Sequence, residues 1–332
     1  MSVTSSRRYL GFGFLVLLVV GIGLLRLLID RDPFTHAISL AWPEASYAGI
    51  RWTALGAGAI VGAALAMSGV LLQALLRNPL AEPFILGLSS GAGLGVMAAM
   101  YLAYAMHMES LFLATQTGPA VIGALAALGI VYLLGQRRGV LDPVSLVLIG
   151  VIVASICGAG IMFFQHLVPT GLRGHFTLWL MGHVPESIDR WLLITAAAVT
   201  GLGAAIGMAF GRAMDAATLS DDEARSVGLS LGRLRLGMFV LAGALAAVTV
   251  ALAGPIAFVG LIAPHAARLL LGPRHGLLVP GAALAGIALL VGSDIARQAL
   301  DFGGGRMPVG VFTALIGGPA FIWLLLSGRG QA

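Results

Sequence analysis

Ten apolar runs of about 20 residues follow one another along the chain, and they limit its fold more than any other feature. Each run is long enough to cross the roughly 30 Å hydrocarbon core of a bilayer as a helix. Lipid offers no hydrogen-bond partner to unpaired backbone N–H and C=O groups, so a spanning segment must be a helix or a strand of a closed barrel. The sequence lacks the alternation of apolar and polar residues that is typical of barrel strands, so we expect helices. The sequence predicts an all-α membrane protein with about ten transmembrane helices, forming one domain over residues 1–332. The runs are approximately 9–29, 52–75, 83–106, 115–135, 142–165, 191–211, 235–253, 255–271, 277–298 and 308–327.

Two of the runs are less regular than the others. The first, 9–29, follows a basic start and has features of a signal peptide. Its apolar core is longer than the roughly 7 to 15 residues of a signal sequence, and no small-residue cleavage site follows, so we interpret it as a retained span. The eighth, 255–271, is short and contains Pro264 and His265, which predicts a broken helix or one that extends past its apparent end.

Composition agrees with a membrane location and excludes several classes of protein. Of the 332 residues, 59% are hydrophobic and 10% are charged, whereas roughly a quarter of a soluble domain is charged. All 19 residues counted as Lys or Arg are arginine. A phosphate-binding P-loop requires a lysine, so the chain cannot contain one. The single cysteine, Cys157, excludes a disulfide framework and is expected to be a small buried apolar residue.

The arginines are distributed unevenly over the two sides of the predicted bundle. If the N-terminus is inside, twelve arginines fall on the cytoplasmic side and seven fall on or near the outer side. Cytoplasmic loops of membrane proteins carry an excess of basic residues. We therefore expect both termini to be cytoplasmic.

A polar stretch, RNPLAEPFILGLSSGAGLG at 77–95, separates the second and third apolar runs. Its two prolines cannot continue a helix, so we expect a sharp cytoplasmic turn. Glycines then recur every four residues and leave one helix face without side chains, which favours close helix packing. The alternative is a helix with exposed backbone beside a transport pathway. The candidate pathway residues are Asn78, Pro79, Gly87, Ser89, Ser90 and Gly91.

The longest cytoplasmic connection, 212–235, is dense in charges of both signs. Its acids come early and its arginines come late, an order that suits the dipole of a short helix. Ser220 is the expected N-cap of this helix, and Gly228 and Gly232 are expected to end it. Both a solvated loop and a docking surface for a soluble partner are consistent with this composition.

Five motifs, in this order, resemble the FecCD-type permeases, which are membrane subunits of type II ABC importers. They are SGVLLQALLRNPLAEPFILGLSSGAGLG (68–95), WLMG (179–182), DEARSVGLSLG (222–232), GPIAFVGLIAPHAARLLLGPRH (254–275) and MPVGVFTALIGGPAFIWLLL (307–326). The resemblance runs from about residue 50 to the C-terminus. It implies a multi-pass permease of the bacterial inner membrane that carries an iron siderophore, cobalamin or haem by alternating access and is not itself an enzyme.

The resemblance also implies a set of partners. These are a second copy of the chain or a close relative of it, two separate ATPase subunits, and a periplasmic binding protein that delivers the substrate. ATP and Mg would bind to the ATPase subunits, so we expect no cofactor and no metal site in this chain. Lipid is the other expected partner, and nucleic acid is not one.

Three groups of residues match family positions that have roles in transport. The resemblance implies an ATPase-coupling segment, a cytoplasmic gate before the fifth span, and outer arginines that pair with the binding protein. The docking group departs from the family pattern, because RWTA at 51–54 lacks a proline and a second arginine that relatives often have. The coupling candidates are Glu223, Ala224, Arg225, Gly228 and Leu229, the gate candidates are Pro143, Val144 and Ser145, and the docking candidates are Arg51, Arg297 and Arg306.

Other classes of membrane protein have less support. An ion-coupled secondary transporter needs embedded ionisable groups, and only Asp294 suggests one; a pairing with Arg297 would explain this acid. An intramembrane enzyme needs a nucleophile with a base or a metal, and no HExxH motif is present. A similarity between 77–95 and 272–286 also predicts an inverted repeat of five plus five spans.

Overall fold

The computed structural model describes residues 5–31, 38–108, 116–218, 220–226, 228–300 and 307–328. Twelve α-helices account for most of this part of the chain. A 3₁₀-helix (Pro83–Leu86) precedes α3, and two antiparallel hairpins, β1–β2 (Ile29–Arg31 with Ile38–Leu40) and β3–β4 (Gln136–Arg137 with Val140–Leu141), join helices. The helices are α1 (Ser5–Leu28), α2 (Ala45–Leu76), α3 (Leu88–Ala105), α4 (Thr117–Leu134), α5 (Pro143–Leu167), α6 (Thr170–Leu180), α7 (Arg190–Ala216), α8 (Asp221–Ser226), α9 (Leu231–Ala253), α10 (Val259–Leu271), α11 (His275–Ala299) and α12 (Val309–Gly328).

Ten of these helices correspond to the ten apolar runs. Within the described residues, eight are long and apolar enough to cross a membrane, and α10 and α12 are shorter apolar helices. The predicted all-α membrane architecture is therefore confirmed. The eighth run is short, as expected, because the backbone leaves α9 at Gly254 and becomes helical again only at Val259.

The connection between α5 and α7 contains a helix that the sequence did not predict. This helix, α6, is 11 residues long and buries Phe176 and Trp179, whose stacked rings have centroids 6.1 Å apart. It is too short to cross a bilayer, so a search for runs of about 20 apolar residues does not detect it.

The long helices run alternately in opposite directions, so the bundle has two ends. We call the end that carries α8 the α8 end. The β3–β4 hairpin and the first residues of α1, α5, α9 and α11 also lie there. The opposite end carries the β1–β2 hairpin, α6 and the first residues of α2, α4, α7 and α12.

The helix α2 lies in the middle of the bundle. Of its most apolar stretch, 83% is buried, the largest share among the eight long helices. Small residues allow this close approach: Gly62 lies against Gly286 of α11, and Gly69 lies against Gly260 of α10. Ser68 Oγ donates a hydrogen bond of 2.8 Å to a backbone carbonyl of α9. Contacts of this kind between small residues let membrane helices touch backbone to backbone.

The glycine stripe of α3 is used for packing. Gly91 and Gly95 face Gly123 of α4, where a side chain would collide with the neighbouring backbone. Close helix packing, the first of the two interpretations, is therefore confirmed for these two glycines. Gly87 is different, because its φ of +75° is the left-handed turn between the 3₁₀-helix and α3. The inverted repeat of five plus five spans stays a prediction.

Candidate functional site

The helix α8 begins with a capping box. Ser220 Oγ accepts a hydrogen bond of 3.3 Å from the backbone amide of Glu223, and the Glu223 carboxylate accepts bonds from the hydroxyl and the amide of Ser220 at 2.7 and 3.0 Å. Two amides at the helix start are thereby satisfied. The bonds from Ser220 lower the pKa of Glu223 below its ordinary value of 4.5. The capping box therefore fixes the first turn of α8, a helix that is too short to be stable in isolation.

The other end of α8 is closed by a Schellman motif. The amide of Gly228 donates to Arg225 O at 2.9 Å, and the amide of Leu229 donates to Ala224 O at 3.0 Å. Gly228 has a φ of +82°, a conformation that costs a residue with a β-carbon about 1–2 kcal/mol. Ala224 is fully buried, whereas Glu223 and Arg225 are exposed. The coupling candidates Glu223, Ala224 and Arg225 thus lie on a helix with two fixed ends, and Gly228 and Leu229 form its C-terminal cap.

The predicted bounds of this helix are confirmed on both sides. It begins after Ser220 and ends before Gly228. The expectation for Gly232 was wrong, because this residue is the second residue of α9 and continues a helix. It tolerates this position because the first turn of a helix places few demands on its residues.

Asp221 connects α8 to two long helices. Its Oδ1 lies 2.7 Å from Arg77 Nη2 at the end of α2 and 2.9 Å from Arg235 Nη2 in the first turn of α9. Arg235 also donates through Nη1 to the carbonyl of Leu141 in the β3–β4 hairpin, at 3.3 Å. Arg77 donates through Nε to Ala217 O at the end of α7, at 3.2 Å. One carboxylate therefore joins α8, α2, α9 and, through Arg235, the hairpin.

The charge state of Asp221 follows from these contacts. Partial burial raises the pKa of this carboxyl group, but the guanidinium groups of Arg235 and Arg77 outweigh it and hold the pKa below the ordinary value of 3.8. Asp221 is therefore ionised near neutral pH, and both of its ion pairs are formed.

The gate candidates occupy the first turn of α5, directly after the β3–β4 hairpin. Asp142 caps this helix, accepting hydrogen bonds from the amide and the hydroxyl of Ser145 at 2.8 and 2.7 Å, which lower its pKa. Pro143 is the first helical residue, where its missing N–H removes no hydrogen bond. Val144 is exposed. A role of this turn in gating stays a prediction.

The predicted turn after α2 is formed by side-chain and backbone bonds together. Arg77 is left-handed, with a φ of +49°, and the amide of Asn78 donates to Gln73 O at 3.1 Å. Asn78 Oδ1 accepts a bond of 2.9 Å from the amide of Leu80, which encloses Pro79 in a tight turn. Asn78 and Pro79 therefore lie exposed at the α8 end, close to Asp221.

The other pathway candidates lie in the first turn of α3. Ser89 and Ser90 are half-buried, and Gly87 and Gly91 are buried on either side of them. These hydroxyls and the exposed turn at Asn78 are not brought to one place by the fold, because the 3₁₀-helix separates them. Their role in a pathway stays a prediction.

Two interruptions of helical structure meet at Glu82. Its Oε1 accepts a hydrogen bond from the backbone amide of Phe258. Phe258 is the N-cap of α10 and is left-handed, with a φ of +69°. Glu82 itself directly precedes the 3₁₀-helix, and Pro83 of that helix lies against Gly260. A negative group at the start of a helix also matches the positive end of its dipole.

A buried ion-pair network lies at the opposite end. Asp294 of α11 receives Arg26 Nε of α1 at 2.5 Å on Oδ2 and Arg297 Nε at 2.8 Å on Oδ1. The three residues are 2%, 3% and 8% exposed, respectively. Arg297 also lies 3.4 Å from Glu186 Oε1 in the connection between α6 and α7. The pairing of Asp294 with Arg297 is therefore confirmed, and Arg26 is a second partner that the sequence did not indicate.

The docking candidates differ in their surroundings. Arg51 is mostly buried, donates to the carbonyl of Leu27 at 2.8 Å and pairs with Asp30 at 2.5 Å. Arg297 belongs to the network just described. Arg306 lies outside the described residues. Both described arginines thus fix the chain's own outer segments, and a role in docking a binding protein stays a prediction.

A cavity of about 650 Å³ opens at the opposite end, between the starts of α4 and α7 and the ends of α6 and α9. His183 lies in its wall, and burial together with the nearby charge of Arg297 lowers the pKa of this imidazole. Thr117, Ser187 and Asp189 add further polar groups. Among the described residues, no group of three or more His, Cys, Asp or Glu side chains is placed to hold a metal ion.

Comparison with known proteins agrees with this geometry. The model of the FecCD transport family matches residues 14–327. The chain is 35% identical over 272 residues to the hemin transport system permease protein HmuU of Yersinia pestis, covering 82% of this chain and 80% of that protein. It is 38% identical over 278 residues to the cobalamin import system permease protein BtuC of Halobacterium salinarum, covering 83% and 72%. It is 34% identical to the Fe(3+)-citrate import system permease protein YfmD of Bacillus subtilis, covering 82% and 78%.

A solved structure has the same fold. It is an inward-facing conformation of a metal-chelate type ABC transporter, and it superposes with a TM-score of 0.82 at 28% identity, covering 96% of this chain and 99% of that chain. Eight membrane-length helices and two shorter apolar helices among the described residues, with a capped helix between α7 and α9, form the architecture of a multi-pass membrane permease. More particularly, the chain belongs to the FecCD transport family. It is a transport subunit of the ABC-importer class and not an enzyme.

Two residues of this architecture were missed by the sequence reasoning. Glu82 lies in the turn motif, where the sequence assigned it no role, although a carboxylate between two prolines in apolar surroundings needs a partner. Arg26, inside an apolar run, was assigned to the membrane surface. Its partner Asp294 lies 268 residues further along the chain, and nothing near Arg26 in the sequence indicates this pairing.

Proposed function

We infer that this permease imports a metal chelate of the class that includes iron siderophores, cobalamin and haem. The named relatives carry hemin, cobalamin and Fe(3+)-citrate, all of which are metal chelates. In this proposal the chain forms a homodimer in the inner membrane, with both termini and the α8 end on the cytoplasmic side. A periplasmic binding protein delivers the chelate to the opposite end. Two separate ATPase subunits, which hold ATP and Mg, bind at the α8 end.

The observation that carries the proposal is the fixed connection between α8 and the rest of the bundle. Glu223 and Arg225 face outward from a helix that is capped at both ends, so they can contact a soluble subunit. Asp221 joins that helix to α2 and α9, and Arg235 extends the connection to the hairpin before the gate candidates. A displacement of α8 is thus expected to move the gate as a rigid body, whereas a disordered loop would absorb the displacement.

An ion-coupled secondary transporter is not favoured. The acid that suggested this alternative, Asp294, accepts hydrogen bonds from both Arg26 and Arg297. A carboxylate that forms ion pairs with two buried guanidinium groups is engaged in structure and is not available to bind a transported ion.

The experiment that tests the proposal is a pull-down of the tagged chain from its native membrane, with mass spectrometry of the proteins that copurify. We expect an ATPase and a periplasmic binding protein. The Gly228→Val variant should no longer bind the ATPase, because valine disfavours the left-handed φ of this position and the end of α8 should unwind. An added β-carbon meets no atom within 4 Å, so the backbone conformation alone would cause the effect. Gly129→Ala is the matched control, since it also has open space but lies in the regular helix α4. Recovery of neither partner under mild extraction would contradict the proposal.

The same preparation identifies the cargo. Iron without a porphyrin spectrum on the binding protein indicates a siderophore, cobalt indicates cobalamin, and a Soret band indicates haem. A binding protein that carries none of these three would show that the chelate class is wrong while leaving the importer assignment intact.

A further inference from the structure

A second cavity lies at the α8 end, between α1, α7 and α11, and has a volume of about 480 Å³. It is separate from the coupling helix, the gate candidates and the turn after α2. Its charged lining consists of Arg8 of α1, Arg212 and Asp215 of α7, and Arg274, the N-cap of α11. We call it the basic cavity.

Within the part of the chain that the structure describes, no acid forms an ion pair with the three arginines of the basic cavity. Arg8 Nε is buried and has no hydrogen-bond partner. For the side chains of Arg212 and Arg274, the described residues likewise provide no hydrogen bond and no ion pair. Three guanidinium-bearing side chains therefore line one cavity without an acid partner among the described residues, and like charges repel each other. An anion in the cavity would remove that repulsion.

The single acid in the cavity wall is already engaged. Asp215 Oδ1 accepts a hydrogen bond of 2.9 Å from the backbone amide of His275 and lies 2.7 Å from its Nδ1. Asp215 thus fixes the start of α11 against the end of α7. The start of α11, a helix of 25 residues, adds the partial positive charge of its dipole to the cavity.

The cavity walls are held in place by backbone contacts. A β-carbon on Gly211 of α7 would lie 2.7 Å from the amide nitrogen of Gly276 of α11, so the two helices touch. A β-carbon on Gly11 of α1 would lie 2.9 Å from the carbonyl oxygen of Leu270 at the end of α10. The arginines are therefore presented from helices held by backbone contacts, so a ligand would have to order the arginine side chains but not the helices.

Apolar side chains lie one helical turn deeper than the arginines. Met208 precedes Arg212 by four residues on α7, and Leu277 follows Arg274 by three residues on α11; both apolar residues line the cavity and are exposed. Positions three or four residues apart share one helix face. The cavity is thus basic at the membrane surface and apolar toward the hydrocarbon, which is the polarity of a phospholipid.

We propose that the basic cavity binds the phosphate headgroup of one anionic phospholipid from the leaflet at the α8 end, with its acyl chains along Met208 and Leu277. Guanidinium groups bind phosphate oxygens in bidentate geometry, and basic pockets between membrane helices are typical sites for anionic headgroups. Free phosphate could bind the same guanidinium groups, but it has no acyl chains to contact Met208 and Leu277, so it should bind more weakly than the lipid. The site does not depend on which chelate is transported.

The test is native mass spectrometry of the detergent-purified protein with phosphatidylglycerol, phosphatidylcholine and inorganic phosphate as probes. We expect one phosphatidylglycerol to be retained per chain, with phosphatidylcholine bound at least tenfold more weakly. Each arginine replaced by glutamine should weaken phosphatidylglycerol binding about fivefold, and the triple variant R8Q/R212Q/R274Q about a hundredfold. The single variant R212Q keeps the test valid if the triple variant does not fold, because Arg212 is exposed.

The matched control is R7Q/R138Q/R233Q, which removes three exposed arginines outside the basic cavity. We expect this variant to bind phosphatidylglycerol within twofold of the wild type. The proposal is wrong if the two triple variants lose the same affinity, or if phosphatidylcholine binds as tightly as phosphatidylglycerol. Displacement of phosphatidylglycerol by an equal concentration of inorganic phosphate would also overturn it, and would indicate a site for a free anion.

Discussion

Glu82 accepts a hydrogen bond from the backbone amide of Phe258, a residue 176 positions further along the chain. The bond joins the interruption after α2 to the interruption before α10. Both interruptions contain a left-handed residue that leads into a helix, Gly87 into α3 and Phe258 into α10. Since one carboxylate connects them, we expect the starts of these two helices to keep their relative position when the bundle changes conformation.

Glu82→Ala should destabilise the protein by about 1–3 kcal/mol, because it leaves the buried amide of Phe258 without a partner. Glu82→Gln should recover most of this loss, since its amide oxygen can accept the same bond. Thermal unfolding can be followed by a thiol-reactive dye, because Cys157 is the only cysteine and is buried. Glu44→Ala is the control: Glu44 is also an N-cap residue, but its side chain makes no capping bond. Equal melting temperatures for the Glu82→Ala and Glu44→Ala variants would contradict the assignment.

Asp221→Asn should separate ATP hydrolysis from transport. It weakens the ion pairs with Arg77 and Arg235 while leaving the outward face of α8 intact, so the ATPase should still bind and hydrolyse ATP. Coupling energies between sites are typically worth 5- to 150-fold, and we expect transport into vesicles to fall about tenfold. Asp222→Asn is the control, because this side chain is 97% exposed and lies 3.8 Å from Arg225. Transport that falls equally in both variants would exclude a specific role for Asp221.

The carboxylates at the α8 end predict a dependence of stability on acid pH. Asp142, Asp221 and Glu223 all have pKa values below their ordinary values of 3.8, 3.8 and 4.5. In this range the unfolded state binds more protons than the folded state, so stability rises with pH. The stabilisation is complete above the ordinary values and is lost as the pH falls through the lowered ones.

The measurement is the melting temperature between pH 6 and pH 3. We expect a decline that begins only below about pH 4.5 and is shallower in the variant Asp142→Asn/Asp221→Asn. The variant Asp222→Asn should follow the wild type, since its carboxylate is almost fully exposed. A double variant with an unchanged slope would show that other groups cause the acid sensitivity.

Asp294→Ala should be the most destabilising of these substitutions, by about 3–5 kcal/mol, because it leaves the buried guanidinium group of Arg26 without its counter-charge and Arg297 with only Glu186, at 3.4 Å. Asp294→Asn should have an intermediate effect, since it keeps an acceptor but not the charge. Folded yield and melting temperature measure the loss, with Glu44→Ala again as control. An Asp294→Ala variant that folds normally but no longer transports would instead favour a direct role of this acid in transport.

The apolar runs predicted the membrane helices well because the cost of exposing backbone to lipid dominates every other local preference. The ten helices that match the apolar runs follow from run length; eight of them are long enough to cross a membrane, and α10, the run predicted to be weakest, is one of the two short ones. The ends of α8 were predictable for another reason: Ser220 and Gly228 satisfy helix ends by local bonds within a few residues. Features that depend on neighbours in sequence can be inferred from sequence.

The pairing of distant charges was not predictable in the same way. Arg26 and Asp294 are 268 residues apart, and Arg77 and Asp221 are 144 residues apart, so only the packed bundle brings them together. The sequence placed Arg26 and Arg297 at an outer surface, because an arginine near the end of an apolar run ordinarily extends to the interface. The structure instead uses both to neutralise one buried acid.

The central position of α2 has a consequence for biosynthesis. This helix is synthesised second, yet the residues that cover it, Gly286 of α11, Gly260 of α10 and the carbonyls of α9, leave the ribosome much later. Until then its glycine faces can be covered only by lipid or by the insertion machinery. Completion of the bundle must therefore wait until nearly the whole polypeptide has been translated, and a ribosome that stalls before residue 286 would leave the central helix of the permease uncovered in the membrane.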